Sequence, residues 1–310
     1  MKTGLPFMKQ TKNEQANNMN ASGVTAFQYF EPAELRVPFL FNSPHSGRFY
    51  PESFLEQSVL DNFTIRMSED CFVDLLFGKV VGLGAALMAA NYPRSFIDVN
   101  RAQYELDPDM FFEPMPDYVP NPSTRVMAGL GTIPKNVASD LPIYNGRIHL
   151  EDALKRIDSL YVPYHNHLQS TLNSMRKRFG FAVLIDCHSM PGKLKFFNGG
   201  EQPDFILGDQ YGQSCTNAFV EYTAELLREK GYNVSLNRPY SGGFITAHYG
   251  KPAENIHALQ IEINRSLYLD EITLEANHNF SSLQNDLTSL SADLMAFPER
   301  EFTLCKIAAE

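Results

Sequence analysis

Short apolar runs bounded by turn residues recur along the chain, and they predict buried β-strands. They lie at residues 37–41, 85–90, 181–185, 205–207 and 257–263. Runs this short and this continuously apolar are typical of strands covered on both faces of a sheet. Elsewhere apolar residues recur three and four positions apart, which predicts helices at residues 69–81, 151–179, 215–230 and 283–297. Pro163 lies within the second of these helices and is expected to kink or restart it.

The alternation of these patterns predicts the fold class. Because strand and helix patterns follow one another through most of the chain, we expect an α/β fold with a mixed, mostly parallel sheet and helices on both faces. Residues 24–310 are expected to form a single α/β domain. The polar segment 1–23 has few apolar residues and is expected to be a mobile tail.

A proline-rich stretch at residues 102–145 interrupts the alternation. It has little periodicity and is predicted to run over the surface as a long insertion. Loops of this length in compact domains are often lids or substrate walls, and an ordinary structural insertion is the alternative. Its prolines are Pro108, Pro114, Pro116, Pro120, Pro122, Pro134 and Pro142.

Composition and charge narrow the range of partners. The chain has 310 residues, of which 44% are hydrophobic and 20% charged, as in an ordinary globular protein with a sizeable core. The formal net charge is −10, and no stripe of Lys and Arg stands out. We therefore expect no nucleic-acid partner. An anionic small molecule stays possible as a ligand, because one or two arginines in a pocket outweigh a distant surface charge.

Cysteine spacing and the lengths of apolar runs indicate the cellular setting. The cysteines show no CxxC spacing, so we expect neither a thiolate zinc knuckle nor a disulfide framework. No apolar stretch has the length of a signal peptide or a membrane span. A soluble, cytoplasmic protein without a membrane partner is expected, and no feature indicates its oligomeric state. The cysteines are Cys71, Cys187, Cys215 and Cys305.

Side chains with useful chemistry follow several of the predicted strands. His45 comes just after the run 37–41, and His188 comes just after the run 181–185. Asp98, Asn100 and Arg101 end the segment 95–101, and Glu262 lies near the end of the last apolar run. In α/β sheets, ligands bind beyond the carboxyl ends of the strands, so these groups are candidates for one site.

Two imidazoles with a carboxylate are the donors that a catalytic zinc site requires. A water bound at such a site becomes a nucleophile near neutral pH. Glu262, in apolar surroundings, suits the general base that takes the proton of this water and passes it to a leaving amine. Arg101 is the candidate that would stabilise the developing oxyanion. The pattern therefore indicates a metal-dependent hydrolase whose divalent ion is held in part by His45 and His188.

Structural roles compete with each of these assignments. A histidine after a strand is often a hydrogen-bonded structural residue, and two at comparable strand ends make the two interpretations about equal. Glu262 is open to a second interpretation as a buried carboxylate paired with Arg265 or another arginine. His165 and His167 are two residues apart on a predicted helix and point to different faces, so we expect them to be structural.

Two other chemistries find little support. Ser46 and Ser189 lie outside any GxSxG nucleophile elbow, which argues against serine catalysis. Gly82 and Gly84 precede an apolar run, whereas the glycines of a dinucleotide-binding loop follow one. A metal-assisted hydrolase is thus the best-supported catalytic interpretation.

Several strings of residues, taken together and in order, resemble the N-formylglutamate amidohydrolase family. The resemblance spans about residues 38–269. The main strings are Asn42-Ser-Pro-His-Ser-Gly47, Asp98-Val-Asn-Arg101, Asp186-Cys-His-Ser189 and Gln260-Ile-Glu-Ile-Asn-Arg265. Further matching pieces are Leu141-Pro-Ile-Tyr-Asn-Gly146, Tyr161-Val-Pro-Tyr-His165, Leu207-Gly-Asp209, Asn237-Arg-Pro-Tyr-Ser-Gly-Gly243 and Tyr249-Gly250.

The resemblance implies a fold similar to that of the zinc carboxypeptidases and aspartoacylases, a phosphorylase/hydrolase-like arrangement with one Zn²⁺ ion at the rim of the sheet. His45 and His188 match the two histidine ligands of that plan. Carboxypeptidases supply the third ligand from a Glu three residues after the first His, and this chain has Arg48 there. Asp70 is the expected replacement, and Glu69 is the second choice.

The resemblance also implies an activity and further site residues. The family's substrate is N-formyl-L-glutamate, and its products are formate and L-glutamate. Glu262 falls where the general base of carboxypeptidases lies, and Arg101 falls in their pair that holds carboxylate and carbonyl oxygens. Two alternatives stay open: a deacylase or peptidase for another N-acyl amino acid or small peptide, and a binding protein that has lost the metal. The implied substrate-binding residues are Asn100, Arg265, His248 and Tyr249.

Overall fold

The structure is a computed structural model that describes residues 23–138, 141–197 and 201–303. Apart from Gly23, the expected amino-terminal tail lies outside the described residues. None of the described helices combines the length and the apolar character needed to cross a membrane.

A seven-stranded sheet forms the centre of the protein, with the strand order β1-β3-β2-β6-β9-β7-β8. Four of its six strand pairings are parallel, and the pairs β1–β3 and β7–β9 are antiparallel. The predicted mixed, mostly parallel sheet is confirmed. The described strands are β1 (Phe27–Phe30), β2 (Phe39–Ser43), β3 (Ala86–Ala90), β4 (Asn136–Ala138), β5 (Leu141–Pro142), β6 (Ala182–Met190), β7 (Phe205–Gly208), β8 (Val234–Leu236), β9 (Ile256–Asn264), β10 (Leu269–Asp270) and β11 (Glu275–Ala276).

Three of the four predicted helices are present within a few residues of their expected bounds. A π-helical turn, Ile157–Tyr161, joins α5 to α6, so the regular α-helix is interrupted just before Pro163 as predicted. The described helices are α1 (Glu52–Gln57), α2 (Val73–Leu76), α3 (Val80–Leu83), α4 (Thr124–Met127), α5 (Leu150–Arg156), α6 (Val162–Phe179), α7 (Asn217–Glu229), α8 (Phe244–Tyr249), α9 (Phe280–Met295) and α10 (Arg300–Thr303).

The prediction of one helix over residues 69–81 is wrong. Only the four-residue helices α2 and α3 form there, and Phe72 adopts the left-handed conformation with a φ of 61° just before α2. The amide of Asp70 donates to the carbonyl oxygen of His45 at 3.0 Å, so this backbone is bonded to the loop after β2. The apolar spacing that suggested a longer helix instead buries Val73, Leu76 and Val80 beneath the sheet.

Helices cover both faces of the sheet, as expected from the continuously apolar strands. Leu40 and Leu184 point to the face covered by α5 and α6. Phe41 and Ile185, their neighbours along the strands, point to the opposite face, where α2, α3, α7 and α9 pack. Alternate residues of each central strand therefore enter two separate hydrophobic cores.

The proline-rich stretch at 102–145 is more closely integrated than a surface excursion. Its described part contains α4 and the strands β4 and β5, and it contributes buried side chains to the core on the α6 face. Proline excludes long regular elements here, but the apolar residues between the prolines still pack inward. The buried side chains are Leu106, Met110, Phe111, Ile133, Val137 and Ile143.

The register of the central strands determines where polar side chains meet. Asn42 of β2 lies opposite Asp186 of β6, and His188 of β6 lies opposite Glu262 of β9. Since β2, β6 and β9 are parallel, their carboxyl ends share one edge of the sheet. That edge carries the candidate site.

Candidate metal and catalytic site

The structure brings His45, Asp70 and His188 into one buried cluster. One nitrogen of each histidine and one oxygen of Asp70 lie within 4.8 Å of one another. Asp70 Oδ2 is 3.3 Å from His45 Nδ1 and 3.0 Å from His188 Nδ1. The hydrogen bond from Asp70 to the backbone of His45 holds these two residues together, although they are far apart in sequence.

The outer ring nitrogens of the two histidines face carboxylates. His45 Nε2 is 2.8 Å from Asp98 Oδ1, and His188 Nε2 is 3.1 Å from Asp186 Oδ2. Both ring nitrogens of each histidine thus face a carboxylate, Asp70 at Nδ1 and Asp98 or Asp186 at Nε2. With a cation between the Nδ1 atoms and Asp70, the ring protons would lie on Nε2, where Asp98 and Asp186 accept them. A carboxylate behind each histidine is the usual arrangement around a metal ligand.

The cluster passes a direct test of whether it fits a metal ion. His45 Nδ1 is buried and has no hydrogen-bond partner among the described residues. An unpaired polar atom at such depth is costly in free energy unless another group satisfies it. A divalent ion between two imidazole nitrogens and a carboxylate oxygen would satisfy it, and this donor set suits zinc.

The second oxygen of Asp70 is held by neighbouring side chains. Ser189 Oγ and Arg265 Nη2 each donate to Asp70 Oδ1 at 3.1 Å. Burial alone would raise the pKa of Asp70, but the hydrogen bond with His188 and the close, charged rings of His188 and His45 hold it well below its usual range. Asp70 is therefore an ionised carboxylate with a fixed orientation.

Arg265 supports Asp70 and also lines the cavity beside it, so its role as a substrate anchor stays a prediction. Its Nε donates to Ser189 Oγ, its Nη1 donates to the carbonyl oxygen of Met67, and its Nη2 donates to Asp70. All three nitrogens are thus engaged by the protein. Among the described residues Arg265 forms no ion pair with Glu262, so the alternative pairing of these two finds no support.

Glu69, the second choice for the third ligand, faces a different group of side chains. Its carboxylate accepts hydrogen bonds from Tyr50 Oη at 2.6 Å and from Arg66 Nε at 3.0 Å. Cys71 Sγ also lies 3.4 Å from it. Glu69 therefore lies outside the cluster formed by the two histidines and Asp70.

Glu262 lies beside His188 on the adjacent strand and lines the cavity. Its Oε1 accepts a hydrogen bond from Gln260 Nε2 at 2.9 Å. Burial is the strongest effect and raises the pKa of Glu262. The charge of His188 lowers this pKa and the charge of Asp70 raises it, so the net pKa is about 7. A carboxylate with such a pKa can both accept and return a proton near neutral pH.

The cluster opens into a cleft with two connected lobes. The inner lobe, about 280 Å³, is lined by His45, Asp70 and His188. The outer lobe, about 580 Å³, is walled partly by the insertion, through residues from Ala128 to Ala138. Of the alternatives left open for the insertion, a substrate wall fits this placement. The two lobes share Arg94, Arg101, Leu130, Ser189, Tyr240 and Glu262.

Arg94 is a cavity residue that the sequence patterns did not indicate. Its Nη2 donates to Asp98 Oδ2 at 2.8 Å, and its side chain is 23% exposed at the junction of the two lobes. Burial opposes its charge, but Asp98 and Asp70 outweigh burial and raise the pKa of Arg94. It follows the carboxyl end of β3, so a wider search beyond each predicted strand would have found it.

Arg101 and Asn100 lie at the cavity, where they were expected. Arg101 Nε donates to the carbonyl oxygen of Leu130 at 2.7 Å, and its Nη1 donates to that of Asn100 at 2.7 Å. Its Nη2 is 3.6 Å from Asp98 Oδ2 and keeps hydrogen-bonding capacity. Asn100 Oδ1 accepts from the amide of Ile245 at 2.8 Å, while its Nδ2 lies 3.2 Å from His188 Nε2. Asn100 therefore contacts both α8 and His188 and lines the inner lobe.

His248 and Tyr249 lie away from the cleft, and neither lines either lobe. Tyr249 Oη is 2.8 Å from His165 Nδ1, while His248 is exposed on α8 and stacks on Phe244. The structure therefore gives no support to the predicted substrate contacts of these two residues. His165 Nε2 bonds the carbonyl oxygen of Val99 at 2.8 Å, which agrees with the structural role expected of it.

Comparison with known proteins agrees with this picture. The family model described as N-formylglutamate amidohydrolase matches residues 37–269. An N-formylglutamate deformylase of Pseudomonas putida is 30% identical over 241 residues, which cover 76% of this chain and 83% of that protein.

Solved structures give the same result. The crystal structure of N-formylglutamate amidohydrolase from Ralstonia eutropha JMP134 is similar with a TM-score of 0.84 and 36% identity, covering 89% of this chain and 99% of that one. A gene product of Agrobacterium tumefaciens shares the fold with a TM-score of 0.61 at 14% identity, covering 90% of this chain and 98% of that one. The family match spans most of the chain, and it confirms the resemblance seen in the motifs. The chain therefore belongs to the N-formylglutamate amidohydrolase family.

Proposed function

We propose that the protein is a zinc-dependent amidohydrolase that cleaves N-formyl-L-glutamate to formate and L-glutamate. The named activity of its relatives supports the substrate. The observation that carries the metal dependence is the buried, unpartnered Nδ1 of His45, which faces Asp70 beside the Nδ1 of His188.

His45, Asp70 and His188 would hold the ion. When bound, zinc would act as a Lewis acid and lower the pKa of a coordinated water. With the ion bound, Asp98 and Asp186 would accept the ring protons on Nε2, and both Nδ1 atoms would donate their lone pairs to the ion. Arg265 and Ser189 fix the orientation of Asp70.

Glu262 acts as the general base in this proposal. Its carboxylate lines the same lobe as the cluster and has a pKa near 7. It takes a proton from the attacking water and gives a proton to the amide nitrogen as the C–N bond breaks, which releases the amino group of glutamate. General acid–base catalysis of this kind contributes about 10²–10⁴-fold to a rate.

Arg94 and Arg101 supply positive charge where the carbonyl oxygen of the substrate becomes negative. Both border the two lobes, and both have donors that the protein leaves unused. Their common partner Asp98 prevents them from moving apart. Donors held in place before the reaction stabilise an oxyanion without further reorganisation.

The test is the substitution Glu262→Gln, with turnover and zinc content measured separately. We expect kcat for N-formyl-L-glutamate to fall by about 10²–10⁴-fold, because the amide cannot accept a proton. Zinc content should stay near one equivalent, since Glu262 is not among the three proposed ligands. The matched control is Glu225→Gln on the exposed side of α7, which should keep both properties.

The outcomes separate the parts of the proposal. Retained turnover in Glu262→Gln would remove Glu262 from the mechanism. If the wild-type protein binds no divalent metal even after zinc is supplied, the proposed metal dependence is wrong and the alternative of a binding protein that has lost the metal is favoured. A panel of N-formyl and N-acetyl amino acids tests the substrate, and a preference for an N-acetyl compound would replace formylglutamate with another N-acyl amino acid.

A further inference from the structure

The inner lobe of the cleft carries more positive charge than the proposed chemistry needs. Arg94, Arg101 and Arg125 all line it together with the histidine cluster. Arg94 and Arg101 share Asp98 as a counter-ion. Arg125 comes from the insertion, has an exposed side chain, and has no assigned role in the proposed hydrolysis.

Arg125 lines the cavity without a side-chain partner among the described residues. No hydrogen bond or ion pair of its guanidinium is found within the described ranges of the chain. A guanidinium carries five donors in a planar fork that matches a carboxylate. Arg125 thus presents an unneutralised site for an anion at the rim of the inner lobe, on the side formed by α4.

Main-chain contacts fix Arg125 relative to the catalytic arginine. The carbonyl oxygen of Arg125 accepts from the amide of Leu130 at 2.9 Å, and the carbonyl oxygen of Leu130 accepts from Arg101 Nε at 2.7 Å. Burial lowers the pKa of Arg101, and the charges of Arg94 and Arg125 lower it further, whereas Asp98 raises it. These observations place the two guanidinium groups within electrostatic reach of each other.

The helix that carries Arg125 is itself anchored. Val126 is buried with 1% exposure, and Ser123 caps the helix by accepting from the amide of Val126 at 3.3 Å. The hydroxyl of Ser123 also donates to Glu105 Oε1 at 2.8 Å. The backbone of α4 is therefore held in place, while the long side chain of Arg125 remains free to close on a ligand.

We infer that Arg125 binds the side-chain carboxylate of an N-acyl amino acid and thereby selects acidic substrates; this inference rests on the proposed amidohydrolase function. The α-carboxylate of such a substrate is next to the scissile amide, so it lies close to Arg94 and Arg101. The carboxylate at the end of a glutamate side chain reaches further and meets a charge at the rim. A neutral amide side chain can accept a hydrogen bond from Arg125 but lacks the charge, so it gains much less from it.

The experiment compares N-formyl-L-glutamate with N-formyl-L-glutamine, which has the same shape but a neutral side chain. In the wild-type enzyme, kcat/KM should favour the glutamate compound by about 10–100-fold, the usual contribution of a charge-assisted hydrogen-bonded pair. In Arg125→Met this preference should fall towards one, chiefly through KM, because kcat/KM for the glutamate compound falls much more than that for the glutamine compound. Arg125→Lys should keep part of the preference.

The matched control is Arg147→Met, which removes the same charge from an exposed position that lines neither lobe. It should leave the preference unchanged. A preference that survives in Arg125→Met, or a loss that affects both substrates equally, would overturn the inference. Equal loss in Arg147→Met would also overturn it, because net charge would then explain the effect.

A binding measurement separates this inference from the proposed function. Both compounds are titrated by calorimetry into Glu262→Gln protein with and without Arg125→Met, so no turnover is needed. Tighter binding of the glutamate compound that disappears with Arg125→Met supports the inference even if the wild-type protein hydrolyses neither compound. Equal affinities in the protein that retains Arg125 would refute it, even if hydrolysis of N-formyl-L-glutamate is confirmed.

Discussion

His165 links the stability of the fold to pH in a way that can be measured. Its Nε2 bonds the carbonyl oxygen of Val99, immediately before Asn100 and Arg101, and its Nδ1 contacts Tyr249 Oη. Since a carbonyl only accepts, Nε2 carries the proton of the neutral ring and Tyr249 donates to Nδ1. Burial lowers the pKa of His165, and the hydrogen bond to Val99 raises it by less. The net pKa falls from 6.5 to about 4.

The sign and size of the effect follow from this shift. The unfolded chain takes up a proton at His165 near pH 6.5, whereas the native protein resists protonation until about pH 4. The contribution of the neutral His165 ring to the free energy of unfolding is therefore fully present above pH 6.5. This contribution is lost as the pH falls towards 4. By pH 4.5 the loss reaches about 2.5 kcal/mol at most.

The assay is urea denaturation of metal-free wild-type protein and of His165→Gln at several values between pH 7.5 and 4.5. Glutamine can still donate to Val99 but does not titrate, so its stability should fall by about 2.5 kcal/mol less than that of the wild type over this range. Acid effects from other groups are common to both proteins and cancel. Parallel curves for the two proteins would refute the assignment of a neutral, buried His165.

Two further substitutions test how the site is supported. Asp98→Asn removes the carboxylate behind His45 and should weaken zinc binding by about 10–100-fold, measured in competition with a chromophoric chelator. The control Asp158→Asn changes an exposed residue and should leave the zinc affinity unchanged. Unchanged affinity in Asp98→Asn would contradict the assigned proton on Nε2 of His45. Gly243→Ala would place a Cβ 2.4–2.7 Å from the amide of Asn100, so thermal unfolding should show a loss of about 1–3 kcal/mol together with lower activity. Gly82→Ala, with open space around its Cβ, should be neutral or slightly stabilising, and equal effects at both glycines would rule out the steric explanation.

The sequence predicted the central strands well because burial on both faces leaves a continuous apolar run. The edge strands β1 and β8 gave no such signal, since they are short and largely half-buried, with polar residues such as Gln28 and Ser235. The helix expected at 69–81 failed for another reason. Its apolar spacing is real, but Asp70 hydrogen-bonds to the His45 loop, and the left-handed Phe72 ends any helix that would include it.

For the site, the positions just after strands were informative, whereas the roles of individual side chains were harder to predict. His45, His188 and Glu262 meet because parallel strands end at one edge, which the sequence pattern contains. Whether Arg265 contacts a substrate or supports Asp70 depends on side-chain directions that no spacing rule gives. Arg125 was hidden for a similar reason, because a four-residue helix inside a proline-rich segment leaves almost no periodic signal.

The strand order has a consequence for how a newly made chain reaches activity. β9 lies between β6 and β7, although it is synthesised after both of them. Until β9 emerges and inserts, the earlier strands form two separate groups, and β6 and β7 each expose an unpaired edge that invites pairing with other chains. The same insertion delivers Glu262, opposite His188. The chain therefore cannot hydrolyse a substrate until β9 has inserted between β6 and β7. Slow insertion of β9 would leave the nascent protein prone to aggregation before it becomes active.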